Sequence, residues 1–303
     1  MKKIVHLILL VLFSLNIQAQ KNVADANSLV SSGNTKIKTN TLNTQLWELG
    51  ESFGSASYMG DLLKANYTLI PCGISGGLFT RINIKDRMAV KTFVNILHLE
   101  GSDKSSGSKD LYHYRNLSFR NNLKEVGTQF EMNLFRFDDY NVYNDDSKKY
   151  YNLTPYVFGG AAVVFHNPQG FHKKTNEWVD LQPLTTEGVK YNRTIAVLPF
   201  GYGFKWKINP HTTFHVEFGH RLTFTDYLDD VSDKYPDFAK LLADKGQIAV
   251  DMSWGADEKN SKPKLNLPQG GQGRGDKKDN DFYSQVQFGF SSTFQYLGAL
   301  IHR

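Results

Sequence analysis

Residues 212–225 alternate between apolar and polar side chains with a period of two. One phase is aromatic and aliphatic, and the other contains charges and glycine. The apolar phase holds Phe214, Val216, Phe218, Leu222 and Phe224, and the polar phase holds His215, Glu217, Gly219, Arg221 and Thr223. Because side chains of a β-strand point alternately to its two faces, the pattern predicts a strand with one apolar face and one polar face.

The same alternation recurs along the chain and predicts eight strands. They cover residues 45–58, 70–83, 87–100, 122–136, 154–166, 194–208, 212–225 and 282–297. These lengths match or exceed the roughly 9–11 residues that a tilted strand needs to cross a bilayer. In the resulting barrel the apolar phase faces lipid and the polar phase faces the interior.

The connections between these strands alternate in length. Residues 84–86 and 209–210 are tight turns and 137–153 is a medium loop, whereas long loops cover 59–69, 101–121, 167–193 and 226–281. Short turns on the periplasmic side and long extracellular loops are typical of outer-membrane proteins. The sequence therefore predicts an all-β fold, an eight-stranded antiparallel transmembrane barrel of the outer membrane. Within the last loop, residues 237–246 predict a short helix, and the glycine-rich residues 268–276 predict a flexible stretch.

The N-terminus predicts export. Two lysines precede an apolar run at residues 4–15, which is followed by a small residue at Ala19. This is typical of a cleaved signal peptide, here residues 1–19, and the run is too short for a membrane-spanning helix. The polar residues 20–44 predict a flexible periplasmic lead-in, and the barrel domain follows as residues 45–303.

Composition narrows the possible functions. The chain has 303 residues, a formal charge of +5 and one cysteine, Cys72. A single cysteine excludes an intramolecular disulfide. No dense basic patch is interleaved with aromatic residues, so nucleic-acid binding is not expected. The mean hydropathy of −0.42 is compatible with a barrel, since half of the strand residues face a polar lumen.

The polar phases of the strands bring acids and bases into the interior in nearly equal numbers. These inward positions are Glu48, Arg81, Lys91, Glu125, Glu131, Lys205, Glu217 and Arg221. Eight strands enclose only enough room for side chains, and an unpaired buried charge is costly. We therefore expect a plugged lumen held by ion pairs, with Arg221 paired to Glu217. On the outer face, the lipid contacts are expected at Phe200, Phe214, Phe218, Phe288 and Phe290.

The residue types allow two other kinds of site. His215 and Glu217 share the inward face with Ser52 and Ser75, but no spacing forces a nucleophile–base–acid geometry. An outer-membrane lipid-modifying enzyme thus remains an alternative without a catalytic motif to support it. The carboxylates Asp226, Asp229, Asp230 and Asp233 are candidates for a hard cation such as calcium, although their spacing does not match the EF-hand loop. No metal site and no cofactor are expected.

Several sequence blocks resemble one family. They are Trp47-Glu-Leu-Gly50, Tyr58-Met-Gly-Asp61, Arg115-Asn-Leu-Ser-Phe-Arg120, Pro155-Tyr-Val-Phe-Gly-Gly160, Phe165-His-Asn-Pro168, Leu181-Gln-Pro-Leu-Thr-Thr-Glu-Gly188, Pro199-Phe-Gly-Tyr-Gly203 and Thr223-Phe-Thr-Asp-Tyr-Leu-Asp-Asp-Val-Ser232. The chain resembles the PorG-like barrels of the Bacteroidetes type IX secretion system from Trp47 to about Tyr296.

The resemblance implies a non-enzymatic anchor or scaffold for type IX secretion and gliding motility. It implies association with a periplasmic ring of PorK and PorN type, and with other outer-membrane secretion components. The periplasmic loop 137–153 is the expected contact, through Tyr140, Tyr143, Tyr150 and Tyr151. By strand parity, however, most of the shared loop blocks are extracellular, so either they serve folding or another partner, or the topology is inverted. A surface-binding or adhesion barrel that uses loop 226–281 is a further alternative.

Overall fold

The computed structural model describes residues 46–62, 73–85, 87–103, 115–137, 151–209, 211–255 and 268–295. The predicted signal peptide, the lead-in 20–44, Cys72 and three of the four loop tyrosines, Tyr140, Tyr143 and Tyr150, lie outside these residues.

The described residues form ten strands and two α-helices. The strands are β1 (Leu46–Met59), β2 (Gly73–Lys85), β3 (Met88–Ser102), β4 (Ser118–Asn133), β5 (Leu153–Phe165), β6 (Pro168–His172), β7 (Glu177–Asp180), β8 (Thr194–Asn209), β9 (Thr212–Thr223) and β10 (Phe282–Gln295). The helices are α1 (Phe238–Lys245) and α2 (Gln247–Ser253), and a short 3₁₀ helix covers Gln182–Leu184.

Eight of the strands close into an antiparallel barrel. Their order is β3-β2-β1-β10-β9-β8-β5-β4, and β3 pairs with β4 to complete the ring. The predicted eight-stranded antiparallel barrel is confirmed. The strand connections after β2, β4 and β8 meet at one end, which we call the short-turn end, and the long connections meet at the opposite loop end.

The alternation in the sequence becomes an alternation in burial. In β9, Thr213, His215, Glu217 and Arg221 are buried inside the barrel, and the intervening residues are more exposed on its outer surface. Many inward positions of the barrel strands hold buried polar residues, while large apolar residues are exposed on the outer face. This inverts the arrangement of a soluble protein.

Two strands and one helix of the loop end were not predicted. The hairpin β6–β7 extends from β4 through pairs such as Arg120 with Gln169. Helix α1 agrees with the predicted helix: Asp237 caps its N-terminus by accepting hydrogen bonds from the backbone N–H of Ala239 and Lys240. Gly246, at φ 82°, then permits the sharp turn into α2.

An apolar core lies inside the barrel near the loop end. Strand residues such as Leu97, Leu123 and Val197 contribute to it, and three loop residues, Leu62, Leu228 and Val231, complete it. Leu228 and Val231 are fully buried. The block Asp-Tyr-Leu-Asp-Asp-Val-Ser therefore plugs the barrel mouth with its two aliphatic side chains, and this position fixes the loops above the lumen.

Candidate functional site: the filled lumen and the loop cap

Arg81 is the centre of the ion-pair network near the short-turn end. Its Nη1 lies 2.7 Å from Glu48 Oε2, and its Nε lies 2.8 Å from Glu131 Oε2. Lys205 Nζ approaches the same Glu131 oxygen at 2.6 Å. Asn83 and Ser291 donate to the two oxygens of Glu48 at 2.8 and 2.6 Å. Two buried acids thus share two buried cations, and the remaining acceptors of Glu48 are occupied by neutral donors.

A second cluster surrounds Glu217 in the middle of the lumen. Lys91 Nζ, Gln129 Nε2 and the Tyr156 hydroxyl each lie 2.9 Å from Glu217 Oε2. These donors come from β3, β4 and β5, so the cluster ties β9 to three strands with which it does not pair. A lumen crossed by such contacts leaves little free space.

Arg221 does not pair with Glu217, and this expectation is wrong. Its Nε lies 3.1 Å from Glu125 Oε1, and Glu125 also accepts from Asn95 and Tyr283 at 3.0 and 3.2 Å. The reason is strand geometry: residues four apart on one strand are separated by roughly 13 Å. Glu217 and Arg221 therefore belong to different levels of the lumen.

His215 is buried in the lumen and packs against an aromatic ring. Its ring meets Phe79 edge-on at a centroid distance of 5.1 Å. Neither ring nitrogen has a hydrogen-bond partner among the described residues, and neither does Ser75 Oγ. The structure does not bring a serine nucleophile, a histidine base and an acid into contact there.

At the loop end the connecting segments fold together into a compact assembly, which we call the cap. It comprises residues 60–62, 103, 115–117, 181–191, 226–255 and 268–281. Arg115 is its first organiser, since Nε and Nη2 bind both Asp103 oxygens at 2.9 and 2.7 Å. The Arg115 guanidinium also donates to the backbone carbonyls of Asp61 and Arg274. One guanidinium thereby joins three separate connections.

Arg274 is the second organiser. Its Nη1 lies 2.9 Å from Glu187 Oε1, and its Nε donates to the Ser253 carbonyl at 3.2 Å. Glu187 accepts in addition from the backbone N–H of Ser232 and Asp233. Arg274 is only 2% exposed and anchors the glycine-rich segment in the cap. The prediction of a flexible stretch at residues 268–276 is therefore wrong.

The candidate metal ligands point to different partners. Asp229 accepts from the backbone N–H of Leu62 and Val231. Asp230, in the left-handed region at φ 71°, accepts from Thr186 and Tyr191. Asp233 pairs with Lys277 at 3.0 Å. In the part of the chain that the structure describes, no group of three or more His, Cys, Asp or Glu side chains is arranged to hold a metal ion.

Burial raises the pKa of several carboxyl groups in the cap. The pKa of Asp226 rises to about 8, because the group is buried and the Asp61, Asp229 and Glu187 carboxylates lie near it. Burial raises the pKa of Asp230 to about 6 against the opposing charge of Arg274.

The same effects act on Asp229 and Asp281. Burial raises the pKa of both; the charge of Asp61 adds to this effect at Asp229, and the charge of Asp229 adds to it at Asp281. Burial also lowers the pKa of His166 to about 4, so its ring is neutral at physiological pH.

The remaining predicted site residues lie on the outer surface. Phe200, Phe288 and Phe290 are each 40% exposed, and Phe214 and Phe218 are half-buried on the same outer face, where Phe218 stacks on Tyr202 at 5.2 Å. Tyr151 is also exposed, and its ring lies 5.3 Å from that of Phe135 at the short-turn end.

The residues that organise the cap cannot be recognised from the residue pattern. Arg274 falls in the stretch predicted to be flexible, and the sequence predicts no role for Asp103, Arg115, Glu187 or Asp281. Arg115 and Glu187 do occur in blocks that carry the family resemblance, which was the available signal. Nothing in the residue spacing indicates which loop acid meets which arginine, because the contacts join segments more than 80 residues apart in the case of Arg274 and Glu187.

These features define a class: a closed eight-stranded antiparallel barrel with an apolar outer face, a filled lumen and a folded cap. Within the described residues, no helix is long and apolar enough to cross a membrane. The chain belongs to the family described as Domain of unknown function (DUF6089), whose model matches residues 32–248. No curated protein matches the chain.

Several solved structures are similar to the chain. Ail, the attachment invasion locus protein of Yersinia pestis, in complex with the heparin analogue sucrose octasulfate, is 9% identical with a TM-score of 0.39, and the match covers 82% of this chain and 99% of Ail. A major outer membrane protein from Thermus thermophilus is 9% identical with a TM-score of 0.40, at 82% and 99% coverage. The N-terminal β-barrel domain of Pseudomonas aeruginosa OprF is 10% identical with a TM-score of 0.36, at 83% and 99% coverage.

Proposed function

We propose that this chain is an outer-membrane barrel that acts as a non-enzymatic anchor and scaffold of the type IX protein secretion and gliding machinery. The observation that carries the proposal is a barrel that is filled by ion pairs and closed by a folded cap. Such a molecule offers surfaces to other proteins rather than a passage or a reaction chamber.

The outer surface supports placement in a membrane. Large apolar side chains at 40–60% exposure occur on every barrel strand, for example Phe53 on β1, Val94 on β3, Phe204 on β8 and Phe290 on β10. Monomeric soluble proteins rarely expose contiguous apolar surface of this extent. Lipid is the solvent that suits this face, and a closed barrel satisfies its backbone hydrogen bonds without water.

The interior supports a role without catalysis. The ionisable groups of the lumen are engaged with one another, as Arg81 is with Glu48 and Glu131. His215, the side chain best suited to act as a base, contacts a phenylalanine ring instead of an activating acid. These contacts favour a structural interior over a lipid-modifying active site.

The positions of the resembling blocks bear on where partners bind. Arg115, Glu187, Leu228, Asp230 and Val231 belong to these blocks, and all are buried in the cap or in the barrel mouth. We infer that these blocks specify how the cap folds, which removes the conflict between their extracellular position and a periplasmic ring. The ring contact is then assigned to the short-turn end, where Tyr151 is exposed; Tyr140, Tyr143 and Tyr150 lie outside the described residues and stay candidates from the sequence.

The test is affinity purification of the full-length protein from detergent-solubilised membranes, with secretion of type IX cargo measured in the same strains. One variant replaces residues 140–149 by a short Gly-Ser turn. The matched control changes the exposed cap residues Leu242 and Ile248 to serine. We expect the first variant to insert normally but to lose PorK- and PorN-type ring proteins and cargo secretion, while the control retains both.

The other outcomes are equally informative. Loss of the ring only in the Leu242 and Ile248 variant would reverse the assigned orientation of the barrel. If the wild-type protein itself brings down no ring protein and its deletion leaves cargo secretion intact, the secretion role is wrong. The membrane placement would survive that result, because it depends on the outer surface alone.

A further inference from the structure

The cap buries many more acids than cations. Seven of its carboxylates are at most 8% exposed, whereas Arg115 and Arg274, each 2% exposed, are its buried arginines among the described residues. The seven are Asp61, Asp103, Glu187, Asp226, Asp229, Asp230 and Asp281. Two guanidinium groups cannot neutralise seven ionised carboxylates, and an uncompensated buried charge is costly. Some of these acids must therefore carry a proton.

The geometry around Tyr58 indicates where one proton resides. The Tyr58 hydroxyl donates to Asp281 Oδ1 at 2.6 Å, and the Asp229 carboxyl group lies near the same hydroxyl. A neutral phenol has one proton to donate. If Tyr58 gives that proton to Asp281, it has none left for Asp229, and two ionised carboxylates beside one hydroxyl repel each other. One further proton held by the two acids removes this repulsion.

This pair of acids lies where the cap is joined to the barrel mouth. Asp281 Oδ2 accepts from the backbone N–H of Leu228 at 2.7 Å, and Asp229 Oδ1 accepts from that of Val231 at 2.9 Å. Leu228 and Val231 are two of the three cap side chains that fill the barrel mouth. The protonated group therefore positions the segment whose burial closes the lumen.

We propose that the Asp229–Tyr58–Asp281 group is a proton-binding site, and that its bound proton keeps residues 226–232 seated in the barrel mouth. Every segment packed against this group contributes buried charges. The acids are Asp61 after β1, Asp103 in the β3–β4 connection, Glu187 in residues 181–191, and Asp226 and Asp230 in residues 226–232. The cations are Arg115 in the β3–β4 connection and Arg274 in the last loop. Acids outnumber bases around the group, so release of the proton adds repulsion that the charge of Arg115 offsets only in part.

The pKa shifts of the buried groups determine how the stability of the cap changes with pH. Burial raises the pKa of Asp226, Asp229 and Asp281 above 3.8, so their contribution to cap stability is complete below pH 3.8 and is lost as pH rises through the folded-state pKa. His166, whose pKa falls from 6.5 to about 4 because it is buried, opposes this trend only below pH 6.5. Between pH 6.5 and about 8 the acids act alone, and the cap loosens as pH rises.

The test is hydrogen exchange of peptides that span residues 226–235, in the full-length protein folded in detergent, between pH 6 and pH 9. Each variant is compared with wild type at the same pH, so that intrinsic exchange rates cancel. We expect the opening constant of wild type to rise by up to about tenfold per pH unit for each proton released. Asp281→Asn, whose amide oxygen can keep the Leu228 N–H and whose amide N–H can donate to Tyr58, should match wild type at pH 6 and exchange more slowly than wild type at pH 8.

The matched control is Asp233→Asn, since Asp233 pairs with Lys277 at the surface and its variant should follow wild type at every pH. Asp229→Asn provides a second variant; because it gives up one acceptor for the backbone N–H groups of Leu62 and Val231, it is compared with wild type only by the slope of its exchange against pH. A direct readout is the infrared carbonyl stretch of a protonated carboxylic acid at pH 7, which either asparagine variant should diminish. Absence of that band in wild type, or asparagine variants with the same pH dependence as wild type, would overturn the proposal.

Discussion

Arg81 is the residue on which two lumen acids depend. It lies between Glu48 and Glu131, and all three side chains are inaccessible to solvent. Glu131 keeps Lys205 as a second cation at 2.6 Å, whereas the remaining contacts of Glu48 through Asn83 and Ser291 are hydrogen bonds from neutral groups. The consequence of removing Arg81 should therefore be concentrated on Glu48.

We predict that Arg81→Ala destabilises the barrel strongly. Removing one partner of a buried ion pair leaves an uncompensated charge and typically costs roughly 3–5 kcal/mol. Urea unfolding in lipid vesicles measures the loss, and the double variant with Glu48→Gln should recover part of it. Arg87→Ala is the control, because Arg87 is exposed in the turn before β3. Equal stability of Arg81→Ala and Arg87→Ala would mean that the Arg81 pairs contribute nothing.

The lumen shows what alternation in a sequence can and cannot specify. The period of two placed Glu48, Arg81, Glu217 and Arg221 inside the barrel, because side-chain direction is a local property of a strand. It could not assign Arg221 to Glu125, since that pair depends on the stagger between β9 and β4 on opposite walls. The direction of a side chain is encoded in the local sequence, whereas its ion-pair partner is determined only when the barrel closes.

At the scale of elements, the barrel strands were predictable and the cap was not. The predicted boundaries of β1, β8 and β9 fall within two residues of the observed ones, because long alternating segments end at turn residues. The predicted helix at 237–246 also agrees with α1, whose ends are marked by Asp237 and Gly246. In contrast, β6, β7 and α2 are only four to seven residues long, too short to show a clear period.

Glycines on the inner faces of the strands allow the close packing that fills a narrow barrel. A Cβ added at Gly54 of β1 would lie 1.9 Å from the backbone oxygen of Val286 on β10. At Gly289 of β10 it would meet the His215 ring at 2.2 Å. Gly54 thus permits close approach of two backbones, and Gly289 makes room for a large side chain on the neighbouring strand.

We predict that Gly54→Ala destabilises the barrel by roughly 1–3 kcal/mol, the usual cost of overpacking, because a backbone must shift to admit the methyl group. Gly159→Ala on β5 is the matched control, since an added Cβ there meets nothing within 4 Å. It should raise stability by roughly 0.5–1 kcal/mol, the penalty of glycine in a strand. Urea unfolding midpoints of the two variants give the comparison, and a Gly54→Ala barrel as stable as wild type would contradict the close contact between β1 and β10.

At the scale of the whole molecule, the barrel is closed twice by different chemistry. Ion pairs centred on Arg81 and Glu217 cross the lumen toward the short-turn end. Leu62, Leu228 and Val231 from the cap fill the opposite mouth with apolar side chains. The two closures use separate residues and lie at different depths. Loosening the cap, as proposed for rising pH, therefore does not by itself open a passage.

The resulting prediction concerns conductance. Wild-type protein in planar bilayers should show no steady current, and the double variant Leu228→Ala with Val231→Ala should stay silent even though its cap is loosened. The physical reason is that the charged side chains of the lumen remain paired and occupy the cross-section that eight strands enclose. An open porin in the same lipid is the positive control for reconstitution. A steady current in the wild type would refute the filled lumen, and a current that appears only in the double variant would show that the cap is the single effective barrier.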